Sequence, residues 1–405
     1  MIKRETYLNQ LLPFIDKPFI KVLTGLRRCG KSSLLMMLED ELIHRGVLQK
    51  SIIRINFESF DYTHLQTSKD LYDFVKKKLT KNKKTYILLD EIQEVKEWEK
   101  AVNAFLVDFD VDIYITGSNS RLLSSELSTY IAGRFVEFHI QTLSFKEYLS
   151  FNLIQNSQEI SVYEAFENYR RLGGFPVLHT SNYSYDSAYK VVFDIYSSAI
   201  LRDTIQRNNI RDIELLERIV KYVFDNIGNK FSAKNVADYF KSQQRKLDLN
   251  TVYNYLKALE YAFIIYRIPR YDVKGKEILK TQEKYFVGDI ALLYSVMGFK
   301  DRLISGVLEN ILMLELKHRG YNVYVGKFGL KEIDFIAEKS GSKIYVQVAY
   351  LLTEPSTIER EFSPLLEVKD NFPKYVVTMD AGWKDTMEGI KHFHIADFLL
   401  LNSFD

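Results

Sequence analysis

At 405 residues the chain is too long for one ordinary core, and its length predicts two to four domains. Hydrophobic residues at 46% and charged residues at 27% describe an ordinary globular protein and exclude a disordered or low-complexity one. A formal charge of +2 dictates no partner, and a single cysteine excludes an internal disulfide and a zinc finger and fits a reducing cytosol. No run of about 18 apolar residues exists to span a membrane. Asp16 and Lys17 interrupt the N-terminal apolar stretch, so no signal peptide is expected and the expected location is cytoplasmic.

Strand and helix patterns alternate through residues 1–150. Strands read at 19–24, 51–57, 85–89, 111–116 and 134–140, and helices at 31–44, 68–79, 96–109 and 120–131. Such alternation predicts a parallel α/β sheet with its ligand beyond the carboxyl ends of the strands. Between the first strand and first helix stands Gly25-Leu26-Arg27-Arg28-Cys29-Gly30-Lys31-Ser32, a complete G-x-x-x-x-G-K-S phosphate-binding loop. Its N–H groups, with that of Ser33 at the helix start, are suited to cradle a polyphosphate. Lys31 would reach the β- and γ-phosphates and Ser32 would hold Mg²⁺. Arg27 and Arg28 add charge inside the loop, and Cys29 fills a place that needs a small residue.

The apolar strand Tyr86-Ile87-Leu88-Leu89 ends in Asp90-Glu91, a Walker B pattern. Asp90 would hold Mg²⁺ through water opposite Ser32, and Glu91 would orient and polarise the attacking water. A further strand runs into Gly117-Ser118-Asn119-Ser120. Asn119 or Ser118 there either contacts the γ-phosphate or caps the next helix. Arg134, after Gly133, reads as an arginine finger, in cis or toward a neighbouring copy in a homo-oligomer, or as a plain strand-start residue. Asn56 is a further candidate, to pair with Glu91 and hold it idle.

These strings together resemble a family of prokaryotic ATP-binding proteins that joins an AAA-type ATPase domain to a C-terminal domain of unknown function. Thr142-Leu143-Ser144-Phe145-Lys146-Glu147-Tyr148 and Leu172-Gly173-Gly174-Phe175-Pro176 are similar to the same family's pattern, so the likeness covers essentially the whole chain. The resemblance implies a P-loop NTPase core of the additional-strand class, in which another strand separates the loop strand from the Walker B strand. ATP and Mg²⁺ are the implied ligands. It implies no biological role.

Residues 151–229 read as a helical lid, with helices at 187–208 and 212–226 and a break at Gly173-Gly174-Phe175-Pro176. Residues 230–284 read as a winged helix. Ser232 caps a first helix with Val236, Tyr239 and Phe240 on its apolar face. A second helix starts near Asn250 and buries Val252, Tyr255, Leu256 and Leu259. A strand at 261–270 then leads to a hairpin tip at Val273-Lys274-Gly275-Lys276. This segment holds twelve Lys or Arg against six Asp or Glu. Lys246, Asn250, Thr251, Asn254 and Lys257 are offered to a DNA major groove, and Lys274 and Lys276 to phosphate. A winged helix used only for packing or protein contact stays open.

In residues 285–405 a helix at 306–318 carries Glu309, and strands follow at 323–325, 332–336 and 343–349. This order looks like the PD-(D/E)xK nuclease core, in which two acids bind Mg²⁺ and a lysine assists the attacking water. Asp334 and Glu309 fit acid positions. Gln347 stands where the second acid is sought and Ala349 where the lysine is sought, with Lys331 and Lys343 as off-register substitutes. A degenerate site is expected, with a nuclease-like fold used for binding. The combined expectation is Mg²⁺-dependent ATP hydrolysis driving a switch of C-terminal domains that bind DNA or a protein. The rivals are an ATP-binding signalling or scaffold module with little turnover, and an ATP-dependent DNA nuclease.

Overall fold

The computed structural model describes residues 2–80, 83–120, 133–155, 160–181, 183–242, 247–383 and 386–404. Two units divide the chain, Met1–Ile140 with Tyr261–Phe263, and Gln141–Glu260 with Ile264–Asp405.

The first unit runs α1 (Glu5–Leu11), β1 (Ile20–Thr24), α2 (Lys31–His44), β2 (Ile52–Asn56), α3 (Ser68–Lys78), β3 (Thr85–Asp90), α4 (Trp98–Asp108), β4 (Val111–Gly117) and β5 (Phe135–His139). Its strands pair in parallel in the order β2-β3-β4-β1-β5. β4 therefore stands between the loop strand β1 and the acid-tipped strand β3, as the resemblance implied. Parallel strands covered on both faces read as continuous apolar runs, which explains the composition of β1 and β3. Ile20, Val22, Ile87, Leu89, Ile113 and Ile115 pack on one face with Leu71 and Val75 of α3 and Val102 and Phe105 of α4. On the other side α2 buries Leu34, Leu35, Leu38 and Leu42 and packs on β3 and β4. Each such side chain contributes about 1.5–3 kcal/mol on burial. Lys21 is the exception within β1, and its buried ammonium is ion-paired with Asp112, which also accepts from Tyr114 Oη at 2.9 Å. The helix expected at 120–131 falls outside the described residues beyond Ser120.

The second unit opens with α5 (Phe145–Gln155), α6 (Val162–Leu172), α7 (Tyr185–Ser198), α8 (Ile213–Asp225), α9 (Ala233–Ser242) and α10 (Leu249–Tyr261). The single helix expected over 187–208 is instead α7 followed by a π-helical stretch, Ala199–Gln206. Ser232 caps α9 as expected, its Oγ accepting from Asn235 N at 3.1 Å. The hairpin β6 (Ile265–Asp272) and β7 (Glu277–Val287) turns at the expected tip. β6 starts four residues later than the pattern suggested, because α10 continues to Tyr261 and Phe263 takes a left-handed turn with φ 57°. There follow α11 (Ile290–Met297), α12 (Ile304–His318), β8 (Asn322–Phe328), β9 (Lys331–Lys339), β10 (Ser342–Val348), α13 (Pro355–Glu367), β11 (Lys374–Thr378), β12 (Thr386–Met387), β13 (Ile390–His394) and α14 (Ile395–Leu400).

One eight-stranded sheet, ordered β12-β13-β11-β10-β9-β8-β6-β7, joins these strands. β6 pairs in parallel with β8, Arg270 opposite Val325. The hairpin is thus an arm of the C-terminal sheet, and the boundary expected at 284/285 runs through the middle of β7. No described helix is long and apolar enough to cross a membrane.

The two strings after residue 140 that extend the resemblance meet each other. Leu143 N donates to Gly174 O at 2.7 Å, and Tyr169 Oη donates to Leu143 O at 2.8 Å. Asp289 accepts from Gly174 N and Ala291 N, each at 2.8 Å. Burial pushes its carboxyl up to about 6, against the pull of these donors. Gly173 has φ 66°, and a Cβ there would lie 2.0 Å from Asp289 Oδ1. Gly173→Ala is therefore expected to destabilise the protein by about 3 kcal/mol. Gly298, with φ 71° and ψ 168°, shares that backbone strain but has open space around it, so Gly298→Ala should cost only the strain itself, about 1–3 kcal/mol, and less than Gly173→Ala. Urea midpoints of the two variants measure the difference.

Candidate functional site

The loop after β1 is shaped by one close approach. Gly25 has φ 153°, and a Cβ there would lie 2.0 Å from Ile140 O. Cys29 is fully buried against the same carbonyl, with Sγ to Ile140 O at 3.2 Å, and burial raises its thiol pKa. This is the packing role expected of a small residue. Gly30 precedes α2 in the left-handed region, so that Lys31 and Ser32 begin the helix.

Lys31 is buried, and its Nζ donates to Gly25 O at 3.0 Å and Leu26 O at 3.2 Å. Glu91 Oε1 lies 3.7 Å from it. Glu91 itself is held at φ 56°, a left-handed conformation costing about 1–2 kcal/mol in a non-glycine residue. Two groups hold it there. Thr116 Oγ1 accepts from Glu91 N at 2.9 Å, and Gln93 Nε2 donates to the Glu91 carboxylate. The same Thr116 hydroxyl donates to Asp90 Oδ1 at 2.6 Å. Burial raises the Asp90 carboxyl pKa, while hydrogen bonds from Thr116 and Ser32 oppose the rise. Ser32, Asp90, Glu91 and Lys31 thus converge at the carboxyl ends of β1 and β3, where the sequence reading put them.

The other candidates differ in placement. Arg27 pairs with Glu58 at 2.6 Å, Arg28 is exposed, and Ser33 is half-buried in the first turn of α2. Ser118 and Asn119 are buried at the end of β4. Asn56 Oδ1 accepts from Glu58 N at 2.9 Å, while the Glu91 carboxylate meets Gln93 and Lys31. Arg134 precedes Phe135, which is level with Ile20, whereas the loop leaves β1 after Thr24, level with His139. Four residues of strand, roughly 13 Å, separate those levels. Arg134 donates to Asn103 at 2.7 Å on that far edge, which removes it as a finger in cis.

Two residues that the sequence reading missed complete the phosphate loop. Thr116 ties both acids of β3 to β4. Arg4 is buried, donates to Cys29 O at 2.9 Å and lies 4.6 Å over the Tyr7 ring.

In the second unit the acids come together around a lysine. Lys284 Nζ on β7 lies 2.9 Å from Glu309 Oε2, 3.1 Å from Glu332 Oε1 and 3.3 Å from Asp334 Oδ1. Burial works to depress the Lys284 ammonium, but these three carboxylates outweigh it and raise its pKa. Burial pushes the Glu309 carboxyl up, and the neighbouring Lys284 ammonium opposes that rise. Gln347 accepts from Asp334 N at 3.2 Å and donates to Glu361 Oε2 at 2.8 Å. The cluster borders a cavity of about 1090 Å³. Neither lysine proposed as an off-register substitute pairs with these acids. Lys331 pairs with Glu367 at 2.6 Å and Lys343 with Glu338 at 2.7 Å, while Ala349 is simply buried.

Of the residues offered to DNA, Asn250, Asn254 and Lys257 are exposed on α10, and Thr251 is half-buried in its first turn. Lys274 and Lys276 are exposed at the hairpin tip, with Lys274 4.6 Å over the Phe328 ring. Lys246 lies outside the described residues.

Comparison with known proteins agrees with this architecture. Residues 17–149 match the model of an AAA domain, and residues 163–303 match a domain of unknown function, DUF8612. An uncharacterized protein of Haemophilus influenzae is 39% identical over 401 residues, covering 99% of each chain. Uncharacterized protein MJ1544 of Methanocaldococcus jannaschii is 30% identical over 353 residues, 84% of this chain and 77% of that one. Among solved structures, the Walker-type ATPase Paby2304 of Pyrococcus abyssi shares the fold with a TM-score of 0.51 at 16% identity, over 73% of this chain and 96% of that one. Residues 17–149 are an AAA domain with a P-loop fold. The chain belongs to the same family as the Haemophilus and Methanocaldococcus proteins.

Thr116→Val would leave the buried Asp90 oxygen and Glu91 N–H without their shared hydroxyl, at an expected loss of about 1–3 kcal/mol. Thr116→Ser keeps the hydroxyl and should recover most of that loss in a thermal or chemical melt.

Proposed function

We propose that the first unit binds ATP with Mg²⁺ and hydrolyses it, and that turnover drives a conformational switch in the second unit. The convergence of Lys31, Ser32, Asp90 and Glu91, with Thr116 bracing both acids, carries this reading. Lys31 is held mainly by two neutral carbonyls, which a triphosphate can displace with stronger charge-assisted bonds. Loop N–H groups from Gly25 to Ser33 and the α2 N-terminus would bind the phosphate oxygens. Ser32 and Asp90 offer hard oxygen donors already within hydrogen-bonding reach of each other, a set that fits Mg²⁺. Bound there, the ion would neutralise charge developing on the transferred phosphoryl group.

Glu91 then has two states. With phosphates absent its carboxylate faces Lys31 and Gln93; with Lys31 drawn to phosphate, the carboxylate is released to orient water and accept its proton. Asn119 or Ser118, buried at the tip of β4, is the candidate contact to the γ-phosphate. Arg134 serves as a finger only between copies, in a homo-oligomer.

For the second unit, helices α8 to α10, the β6–β7 hairpin and the bridge of Lys230 to Lys284 support a winged-helix reading. Exposed Asn250, Asn254 and Lys257 favour DNA over a purely internal packing role. The order α12-β8-β9-β10-α13-β11 supports a nuclease-like fold kept for binding.

Glu91→Gln should retain ATP binding in calorimetry and lose at least about a hundredfold in turnover. Lys31→Ala should lose the binding itself. Well-folded wild-type protein that takes up no ATP would overturn the proposal, and binding without turnover would favour the scaffold reading. Replacing Lys257 and Lys274 with alanine should weaken duplex DNA binding across sequences. It should also reduce the salt slope by about two, measured by anisotropy titrations at several salt concentrations.

A further inference from the structure

Glu309 on α12 and Glu332 and Asp334 on β9 bring three carboxylates to one point inside the second unit. Like charges so placed need a proton or a cation among them, and a divalent ion is one natural solution. Here the chain supplies its own. Lys284 is buried, its ammonium meets all three acids, and the Asp334 oxygens are both engaged, Oδ1 by Lys284 and Oδ2 by Val348 N at 3.0 Å. Glu332 is shared further, with Lys230 Nζ 3.1 Å from its Oε2 and Arg270 at 3.8 Å.

Gln347 makes the same point independently. Its amide accepts from Asp334 N and donates to Glu361, a dual role that a carboxylate cannot perform. A glutamate at 347 would oppose the Glu361 carboxylate, unless a metal ion lay between them. Glutamine resolves that contact with a hydrogen bond.

We propose that Lys284 is a built-in substitute for a divalent cation, and that this pocket is a metal-free site closed to Mg²⁺ and Mn²⁺ in the native protein. The inference is independent of ATP hydrolysis in the first unit. It gives Lys284 a charge-neutralising role, distinct from the water-assisting lysine for which the sequence offered Lys331 or Lys343.

The test is Mn²⁺ binding by the full-length chain without nucleotide, followed by calorimetry. Wild type and Asp334→Asn should bind Mn²⁺ identically, since any uptake at the phosphate loop is common to both. Lys284→Met should gain a Mn²⁺ site at least tenfold tighter than anything in wild type, and Lys284→Met with Asp334→Asn should lack it. Wild-type binding that disappears in Asp334→Asn would overturn the proposal. Mn²⁺-dependent cleavage of duplex DNA by wild type, lost in Asp334→Asn, would overturn it as well. So would a folded Lys284→Met that acquires no Asp334-dependent site. Should Lys284→Met fail to fold, the comparison of wild type with Asp334→Asn decides alone. Lys284→Arg, which keeps the charge, should then fold and bind Mn²⁺ no differently from wild type.

Discussion

A buried ammonium must be partnered, and the identity of its partners decides whether it can be recruited by a ligand. Two lysines make the contrast within this chain. Lys31 rests on two neutral carbonyls of its own loop, with one carboxylate at the longer distance of 3.7 Å. Those contacts satisfy the ammonium without saturating it, so a polyphosphate can take their place. Lys284 rests on three carboxylates between 2.9 and 3.3 Å. Drawing it away would strand those acids in the interior, which is far more costly than leaving it. On the proposed reading the first arrangement is an exchangeable site, and the second is a permanent one.

The exchangeable site depends on how rigidly its surroundings are built. Glu91 occupies a left-handed backbone conformation that a glutamate adopts only under constraint. Thr116 supplies that constraint from the neighbouring strand, and it does so with one hydroxyl that serves Asp90 as donor and Glu91 as acceptor. Strand insertion matters here. Because β4 lies between β1 and β3, a β4 side chain can brace the acids from inside the sheet. Arg4 does comparable work on the loop, tying it to the segment ahead of α1.

What was legible in the sequence follows from the range of each signal. The loop, the acid pair and the strands of the first unit are local strings whose periodicity or composition carries the information, and they stand where the pattern put them. Thr116 was inside a predicted strand but carried no mark, since its role needs Asp90, 26 residues earlier. Lys284 was hidden for the same reason, being 25 residues from Glu309 and 50 from Asp334. Its one local sign was a lysine opening the apolar run Tyr285-Phe286-Val287. Arg134 is different, because its failure as a finger in cis could have been foreseen. A residue that starts a strand parallel to β1 must lie at the edge opposite the loop that ends β1. The hairpin was predicted correctly as a turn, yet its incorporation into the larger sheet rests on the β6–β8 pairing, which no local pattern encodes.

That pairing changes how motion can pass through the second unit. Lys284 sits on β7 and reaches α12 and β9, while Lys230, just after α8, reaches Glu332 on β9. Lys230 and Lys284 also face each other in an isolated antiparallel bridge. The hairpin and the C-terminal strands are therefore bound by one buried charge cluster as well as by one sheet, and the exposed Lys230 ties the segment after α8 to Glu332 at the rim of that cluster. A hinge at 284/285 would have to break backbone pairing and expose charges together. The switch proposed for this unit would therefore move the hairpin and the C-terminal sheet together, rather than swing the hairpin alone.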